Sequence, residues 1–381
     1  MHNKADCCGC TACQQICPVP CITMEPDEEG FLYPKINEGL CIGCRKCEAV
    51  CPIQSPPPVK AEAQTYVGYA KEENVRSVSS SGGIFSLAAA YVFKRGGVVF
   101  GAAFDDAFAV HHICVESEKD LDRLRGSKYV ESRLEDTYGQ AKRRLMDGQW
   151  VLFSGTACQI AGLQKYLGKE YDRLLTIDVL CHGVPSPKIW KAYLEEQQRK
   201  YRSQITAIQF RNKRLGWKRF SMRIQFANGR EYAVPFTKDK FMNLFLGNID
   251  LRPSCYDCRF KAFPRPSDMT IGDCWGIEHH LPELDDDLGT SVILVHSAKG
   301  ERLFKAIRER LTVKEAALDS VLPKTADSRR SVEMHPNRKQ FWADVQLGQS
   351  IEQISGRIRR NLVQKVLGYL RMKMKRVMKG F

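Results

Sequence analysis

Apolar residues along this chain gather in short runs, each broken by Gly, Ser or Pro. WVLFSGTACQIAGLQKYL at 150–167 begins as a continuous apolar run, turns at a glycine and resumes with apolar residues at helical spacing. It predicts strand, turn and helix, with Cys158 at the turn. LLTIDVLCHGVPSP at 174–187 repeats the plan, with a buried-type strand ending at Cys181-His182-Gly183. SVSSSGGIFSLAAAYVF opens on a Ser/Gly turn at 79–83 and continues as a helix. Ligands of open α/β sheets gather at the carboxyl ends of strands, so Cys158 and Cys181 are expected to be neighbours. Nearer the start, ITMEPDEEGFLYPKI has a polar turn at Asp27–Gly30 between two short apolar-bearing arms, which predicts a hairpin. No apolar run approaches the roughly 18 residues of a membrane span. The longest candidates, such as FSLAAAYVF at 85–93, stop at Lys94-Arg95.

The far end carries a different pattern. From Ile354 the apolar residues step by four through Ile358, Leu362, Val366, Leu370, Met374 and Met378. Arg357, Arg359, Lys365, Arg371, Lys373 and Lys375 occupy the other face. Such a basic amphipathic helix is expected either to lie on an anionic membrane surface or to dock on the body or an acidic partner. This tail holds nine of the chain's basic residues and no acid, so it supplies most of the net charge of +14. The remainder is only mildly basic. With no helix-turn-helix, RNP or finger motif, no nucleic-acid partner is expected.

The cysteines change the picture more than the charge does. Cys7, Cys10, Cys13 and Cys17-Pro18 read C-x2-C-x2-C-x3-C-P, and Cys41, Cys44, Cys47 and Cys51-Pro52 repeat it. This is the 4Fe-4S run of bacterial ferredoxins, in which the fourth cysteine serves the other cluster. One cluster is therefore assigned to Cys7, Cys10, Cys13 and Cys51, the other to Cys41, Cys44, Cys47 and Cys17. Two four-cysteine zinc sites are the competing reading. A repeated C-x3-C-P limb has no reason to appear in them. MHNKAD, ahead of the first run, has no apolar signal-peptide core. A reducing, cytoplasmic setting is therefore expected, where clustered thiols serve as metal ligands rather than disulfides. Residues 1–54 resemble a two-cluster bacterial ferredoxin domain. SPPPVK at 55–60 reads as an extended linker. At 381 residues and 43% hydrophobic content, the chain has room for a further substantial core.

That body has no G-x-G-x-x-G and no Walker loop, so any nucleotide or flavin site is not an ordinary Rossmann one. A Ser/Gly turn at a helix N-terminus suits a phosphate, but on the residues alone plain N-capping by Ser81, with the glycines only turning, is the favoured reading. RPSCYDCRF adds the pair Cys255 and Cys258, and DMTIGDCWG adds Cys274. In order, SSSGGIFSL, RGSKYVES, FSGTACQIAGL, DVLCHGVPSP, RNKRLGW, CYDCRFK and SDMTIGDCWG resemble the coenzyme F420 hydrogenase/dehydrogenase beta-subunit family over most of residues 60–310.

The resemblance implies a small ferredoxin-like two-cluster domain fused to a larger mixed α/β (α+β or α/β) iron–sulfur flavoprotein domain at 61–345. The basic helical tail then spans 346–381. It implies FAD and a third 4Fe-4S cluster in the body, for which Cys158, Cys181, Cys255 and Cys258 form the expected ligand set, with Cys274 as competitor. Cys8, Cys21 and Cys114 read as small buried hydrophobes or loop thiols. Ser79, Ser80, Ser81, Gly82 and Gly83 match the family's flavin region, Lys128 and Tyr129 its SKY segment, and Gly155 and Thr156 join the cofactor set. Lys128 is expected to stabilise flavin or substrate charge. His182 is a candidate proton donor, with a structural role as its alternative. His111 and His112 receive no role.

The resemblance further implies an oxidoreductase. It would pass electrons from a ferredoxin or another low-potential donor through 4Fe-4S clusters to FAD and on to an organic substrate. Within the family these substrates include a deazaflavin coenzyme and chlorophyll-type pigments, and many bacterial relatives are linked to surface-polysaccharide assembly. The alternative is an electron-transfer subunit whose chemistry occurs on a partner protein. Peripheral contact with the inner face of a membrane is expected through the tail.

Overall fold

The computed structural model describes residues 3–58 and 63–356. In the N-terminal domain the two cysteine runs adopt the same local backbone. Gly9 and Gly43 have φ of 70° and 66°, and Thr11 and Arg45, just past Cys10 and Cys44, have φ of 57° and 54°. Each pair of left-handed residues bends one run into a tight loop, and each loop leads into a single helical turn, Ala12–Gln15 and Lys46–Ala49. Between the loops, β1 (Ile22–Pro26) and β2 (Leu32–Ile36) pair antiparallel, Ile22 opposite Ile36 and Pro26 opposite Leu32. The Asp27 carboxylate closes the connection by accepting from the Glu29 and Phe31 N–H groups at 3.1 and 3.0 Å.

The body is built on an eight-stranded mixed sheet. Its strands are β3 (Gln64–Ala70), β4 (Val98–Phe104), β5 (Val110–Val115), β6 (Val151–Thr156), β7 (Leu174–Val179), β11 (Met269–Asp273), β12 (Ser291–Val295) and β13 (Leu311–Glu315). Three more, β8 (Ile205–Asn212), β9 (Ser221–Phe226) and β10 (Glu231–Pro235), form a separate antiparallel sheet. The large sheet runs β13-β3-β12-β11-β7-β6-β4-β5. The central strands β11, β7, β6 and β4 are parallel, and the other pairings are antiparallel.

Side-chain alternation splits the core between the two faces of the sheet. Val99, Leu152 and Leu175 pack with the helix Ile84–Phe93 and with Leu303 and Phe304 on one face. Phe100, Phe153 and Leu174 pack with Tyr138, Ile160 and Leu163 on the other, and Cys10, Ala12 and Val50 of the dicluster domain join this second core. The small sheet closes over a third core with Trp190, Tyr193 and Phe241. Ile351 and Ile354 are buried in that core as well, so residues 351–356 pack on the body. The stripe from Ile358 onward lies outside the described residues. Among the described residues no helix is long and apolar enough to cross a membrane.

The parallel core places the carboxyl ends of β3, β4, β6, β7 and β11 along one edge, at Ala70, Phe104, Thr156, Val179 and Asp273. A buried ion pair stiffens this edge. Arg265 donates to Asp178 at 2.6 Å, and Ser267 donates to the other carboxylate oxygen at 2.5 Å. Arg265 and Asp178 are 1% and 0% exposed, so neither charge is left unpaired in the interior.

Candidate functional site

The dicluster thiols ring two hollows. Cys7, Cys10, Cys13 and Cys51 line a cavity of about 200 Å³, together with Cys8, Cys47 and the apolar Ile22, Met24 and Ile53. Cys17, Cys41, Cys44 and Cys47 line a smaller one with Cys21. Each cavity thus collects three cysteines of one run and the fourth of the other. Burial pushes the Cys13 thiol up to about 12, and Cys7 and Cys51 push it the same way. Such a ring of thiolates needs a positive centre among them, and an iron–sulfur core provides one.

Cys21 sits 3.4 Å from Cys17, inside the second group rather than in a separate loop environment. Cys8 contacts both Cys10 and Cys158, which puts it between the dicluster domain and the body. The runs alone could not show either position, because both cysteines fall out of their register.

In the body, Cys158 opens the helix Ala157–Leu167 directly after β6, Cys181 follows β7, and Cys255 and Cys258 lie on the turn after Pro253. These four are mutual neighbours. Burial pushes Cys181 up to about 12, and the charges of Cys158 and Cys258 act in the same direction. Burial also pushes Cys255 well above its ordinary value, reinforced by Cys181, Cys258 and Cys158. Cys274 lies elsewhere, buried among Trp217, Ile277, Leu284 and Val292 with no other cysteine in that cluster. Cys114 sits on β5 and packs against the second-face core.

The Ser/Gly turn meets the same strand edge. Gly83, at φ 86°, starts the helix Ile84–Phe93. A Cβ on Gly82 would come within 2.6 Å of the Gly68 carbonyl. The serine hydroxyls are engaged inside the protein. Ser79 donates to the Val75 carbonyl at 2.7 Å and Ser81 to Thr290 at 3.1 Å, while Ser80 accepts from the Ser127 N–H at 2.7 Å. That last bond ties the turn to the SKY segment. Next to it, Lys128 Nζ donates to the Arg125 and Gly126 carbonyls at 2.9 and 3.2 Å and lies 5.8 Å from the Phe104 ring. Burial alone lowers Lys128 to about 7. Tyr129 stacks on Phe245, centroids 5.0 Å apart.

Gly155 and Thr156 end β6. The Thr156 N–H donates to Gln159 Oε1 at 2.9 Å, and its hydroxyl lies 3.1 Å from the Cys158 sulfur. His182 Nε2 is bonded to Asn248 Oδ1 at 2.6 Å, its ring stands edge-on to Phe245, and burial holds it below its ordinary value. His112 is lowered to about 4 by burial, which makes it a neutral ring spanning Ser132 and the Ser154 carbonyl.

Of RNKRLGW and DMTIGDCWG, the sequence offers only Cys274 as a site residue, and only as a competing ligand. In the structure they meet. Arg211 pairs with Asp273, and its guanidinium lies 4.6 Å from the Phe220 ring and 5.1 Å from the half-exposed Trp275. Trp275 stacks on Trp217 at 4.5 Å. The Tyr129 side chain also lies against this guanidinium, and Arg211 Nε and Nη2, buried without a close acceptor, suit an acceptor-rich ligand.

Family models bear on the same segments. The coenzyme F420 hydrogenase/dehydrogenase beta-subunit N-terminal model matches residues 65–136, and the C-terminal model of that subunit matches 148–320. A 4Fe-4S dicluster domain model matches residues 6–55. No curated protein matches the chain. Among solved structures, one similar chain belongs to the F420-reducing [NiFe] hydrogenase complex from Methanosarcina barkeri. It shows 15% identity and a TM-score of 0.47, over 70% of this chain and 85% of that one. The two beta-subunit models together cover more than half of the 381 residues. The chain therefore belongs to the coenzyme F420 hydrogenase/dehydrogenase beta-subunit family, as an iron–sulfur electron-transfer protein with a 4Fe-4S dicluster domain at its front.

Proposed function

We propose that this chain is an iron–sulfur flavoprotein oxidoreductase that draws electrons from a ferredoxin-type donor and delivers them to an organic substrate with an electrophilic C=C, C=O or deazaflavin-like ring. Bound 4Fe-4S clusters supply one-electron storage, and bound FAD supplies the exchange between one- and two-electron chemistry. The observation that carries this reading is convergence on one edge. Cys158, Cys181, the Ser79–Gly83 turn, Lys128 and Arg211 all lie where the parallel strands end, with the dicluster domain packed against the helix that starts at Ala157.

In this reading Cys158, Cys181, Cys255 and Cys258 hold the third cluster. Lys128 and the open donors of Arg211 face the negative charge of flavin or substrate. The Ser80–Ser127 bond keeps Lys128 in place, and the Trp217–Trp275 stack gives a planar group an apolar wall.

The test is anaerobic purification with cofactor analysis. About one FAD per chain is expected on release, with no FMN. Reduced protein, mixed with candidate metabolites, is expected to be reoxidised as a small molecule is consumed. Reoxidation by a partner protein alone would make the chain an electron-transfer subunit, and absence of flavin from loaded protein would remove FAD from the reading.

We also propose that the basic tail holds the protein at a membrane surface, as a lipid-carried polysaccharide intermediate would require. Nine basic residues at roughly 1 kcal/mol each near an anionic surface are ample for binding. Full-length protein is expected to sediment with anionic vesicles at low salt and to be released by high salt. Failure of the full-length protein to bind anionic vesicles at low salt would assign the tail to the body or to a protein partner instead.

A further inference from the structure

Arg252 belongs to the body, three residues before Cys255, and its carbonyl accepts the Cys255 N–H at 2.9 Å. Its side chain crosses into the dicluster domain. There Nε donates to the Cys7 carbonyl at 2.8 Å and Nη2 to the Leu32 carbonyl at 2.8 Å, and Nη2 also lies 3.7 Å from the Cys7 sulfur. Nη1 pairs with Glu131, and the guanidinium lies 4.3 Å from the Tyr33 ring centre. Only 1% of Arg252 is exposed. Gly9 leaves the room it needs, since a Cβ there would come within 2.8 Å of Nη1.

Gluing two domains together does not require a buried cation against a ligand sulfur. Apolar contacts of Cys10, Ala12 and Val50 already join them. What the guanidinium adds is positive charge and an N–H···S contact at the cavity nearer the body. Adding an electron to a cluster makes it more negative, so both features favour its reduced form. The other cavity is lined by Arg45 and Lys46, but both are exposed, as are its Cys41 and Cys44, so solvent screens their charge where it does not reach Arg252.

We propose that Arg252 is a positioning residue for internal electron transfer. It raises the reduction potential of the cluster held by Cys7, so that an electron donated at the exposed cluster moves inward, toward the turn on which Arg252 itself precedes Cys255. One electron passes from the exposed cluster to the inner one, and no bond is made or broken. The inference rests on the cluster assignment above.

The test is a redox titration of the reconstituted full chain, followed by the spectra of its separate clusters. Arg252→Gln combined with Glu131→Gln removes the guanidinium beside the Cys7 sulfur without stranding a buried carboxylate. It is expected to lower the inner cluster's reduction equilibrium tenfold or more, about 59 mV for one electron, and to leave the exposed cluster unmoved. Arg252→Lys keeps the charge but loses the fork. It is expected to shift the same cluster in the same direction by less, and it decides the matter if the double variant sheds iron. Glu131→Gln alone leaves the guanidinium in place and is expected to hold or raise that potential. A merely structural role would move stability in every variant and potential in none. Clusters present with unmoved potentials overturn the inference. Absence of clusters from the unaltered protein would instead sink the assignment on which it rests.

Discussion

Changing Cys158 and Cys258 together to serine is expected to remove a third of the iron and leave the two dicluster sites filled. Three 4Fe-4S clusters call for about twelve iron and twelve sulfide per chain, and loss of one leaves about eight. The two residues come from unrelated elements, one opening a helix after β6 and the other on the turn after Pro253, so the double change removes two corners of one site. Serine keeps the volume but supplies a hard, protonated oxygen where iron needs a soft thiolate. The surrounding frame does not depend on either thiol, because the Arg265–Asp178 pair and the flanking strands hold the strand edge. Electrons are therefore still expected to enter at the dicluster domain, while, under the proposed function, reduction of a bound flavin collapses. Cys274→Ser is the control. Its thiol packs among Trp217, Leu284 and Val292, and its replacement is expected to cost no iron. Elemental analysis after anaerobic reconstitution decides the point. About eight iron in the unaltered protein would refute the body cluster.

The parts that could be read from sequence are those whose chemistry is local. A cluster loop is specified by spacing within a dozen residues, so both runs were legible, and their matching φ values at Gly9/Gly43 and Thr11/Arg45 show one backbone used twice. The hairpin was legible because Asp27 and Gly30 make its turn from their own neighbourhood. The strand–turn–helix at 151–167 was legible for the same reason.

What escaped depends on partners far along the chain. Arg252 meets Cys7 across 245 residues, and Arg211 meets Asp273 across 62. No periodicity encodes either contact. Sequence offers Ser81 as the helix cap, yet Gly83 takes that position, Ser81 donates to Thr290 and Ser80 accepts from Ser127. Gly83 likewise reads as space for a phosphate, but its φ of 86° and the nearness of Ala70 and Val75 make glycine a backbone requirement there. A valine at that position would strain the turn whether or not a phosphate sits beside it. The order of the eight strands, with antiparallel β12 set between β3 and β11, is also invisible to a pattern that registers each strand alone.

Activity that depends on the Lys128 charge is expected to fall as pH rises through about 7. Burial is the cause of its lowered value, so the ammonium prevails below that pH and the neutral amine above it. A neutral amine can still donate to the Arg125 and Gly126 carbonyls, so the loop stays in place while the charge is lost. If the charge stabilises the anion formed during reduction, each pH unit above 7 costs about tenfold in rate. Lys128→Gln is expected to cost on the order of 100-fold at pH 6 and to flatten the profile.

Stability moves the other way. The folded value of about 7 lies below the unfolded 10.5, so the unfolded chain binds the extra proton between them. That linkage makes the folded state gain stability as pH climbs through this window. Falling activity with rising stability separates loss of the Lys128 charge from simple unfolding. His182 is held below its ordinary value by burial, so its own titration falls on the acid side of this break. The measurement is a pH–rate profile of the loaded protein beside a melting curve at each pH. A break near 7 that persists in Lys128→Gln would take the role from this residue.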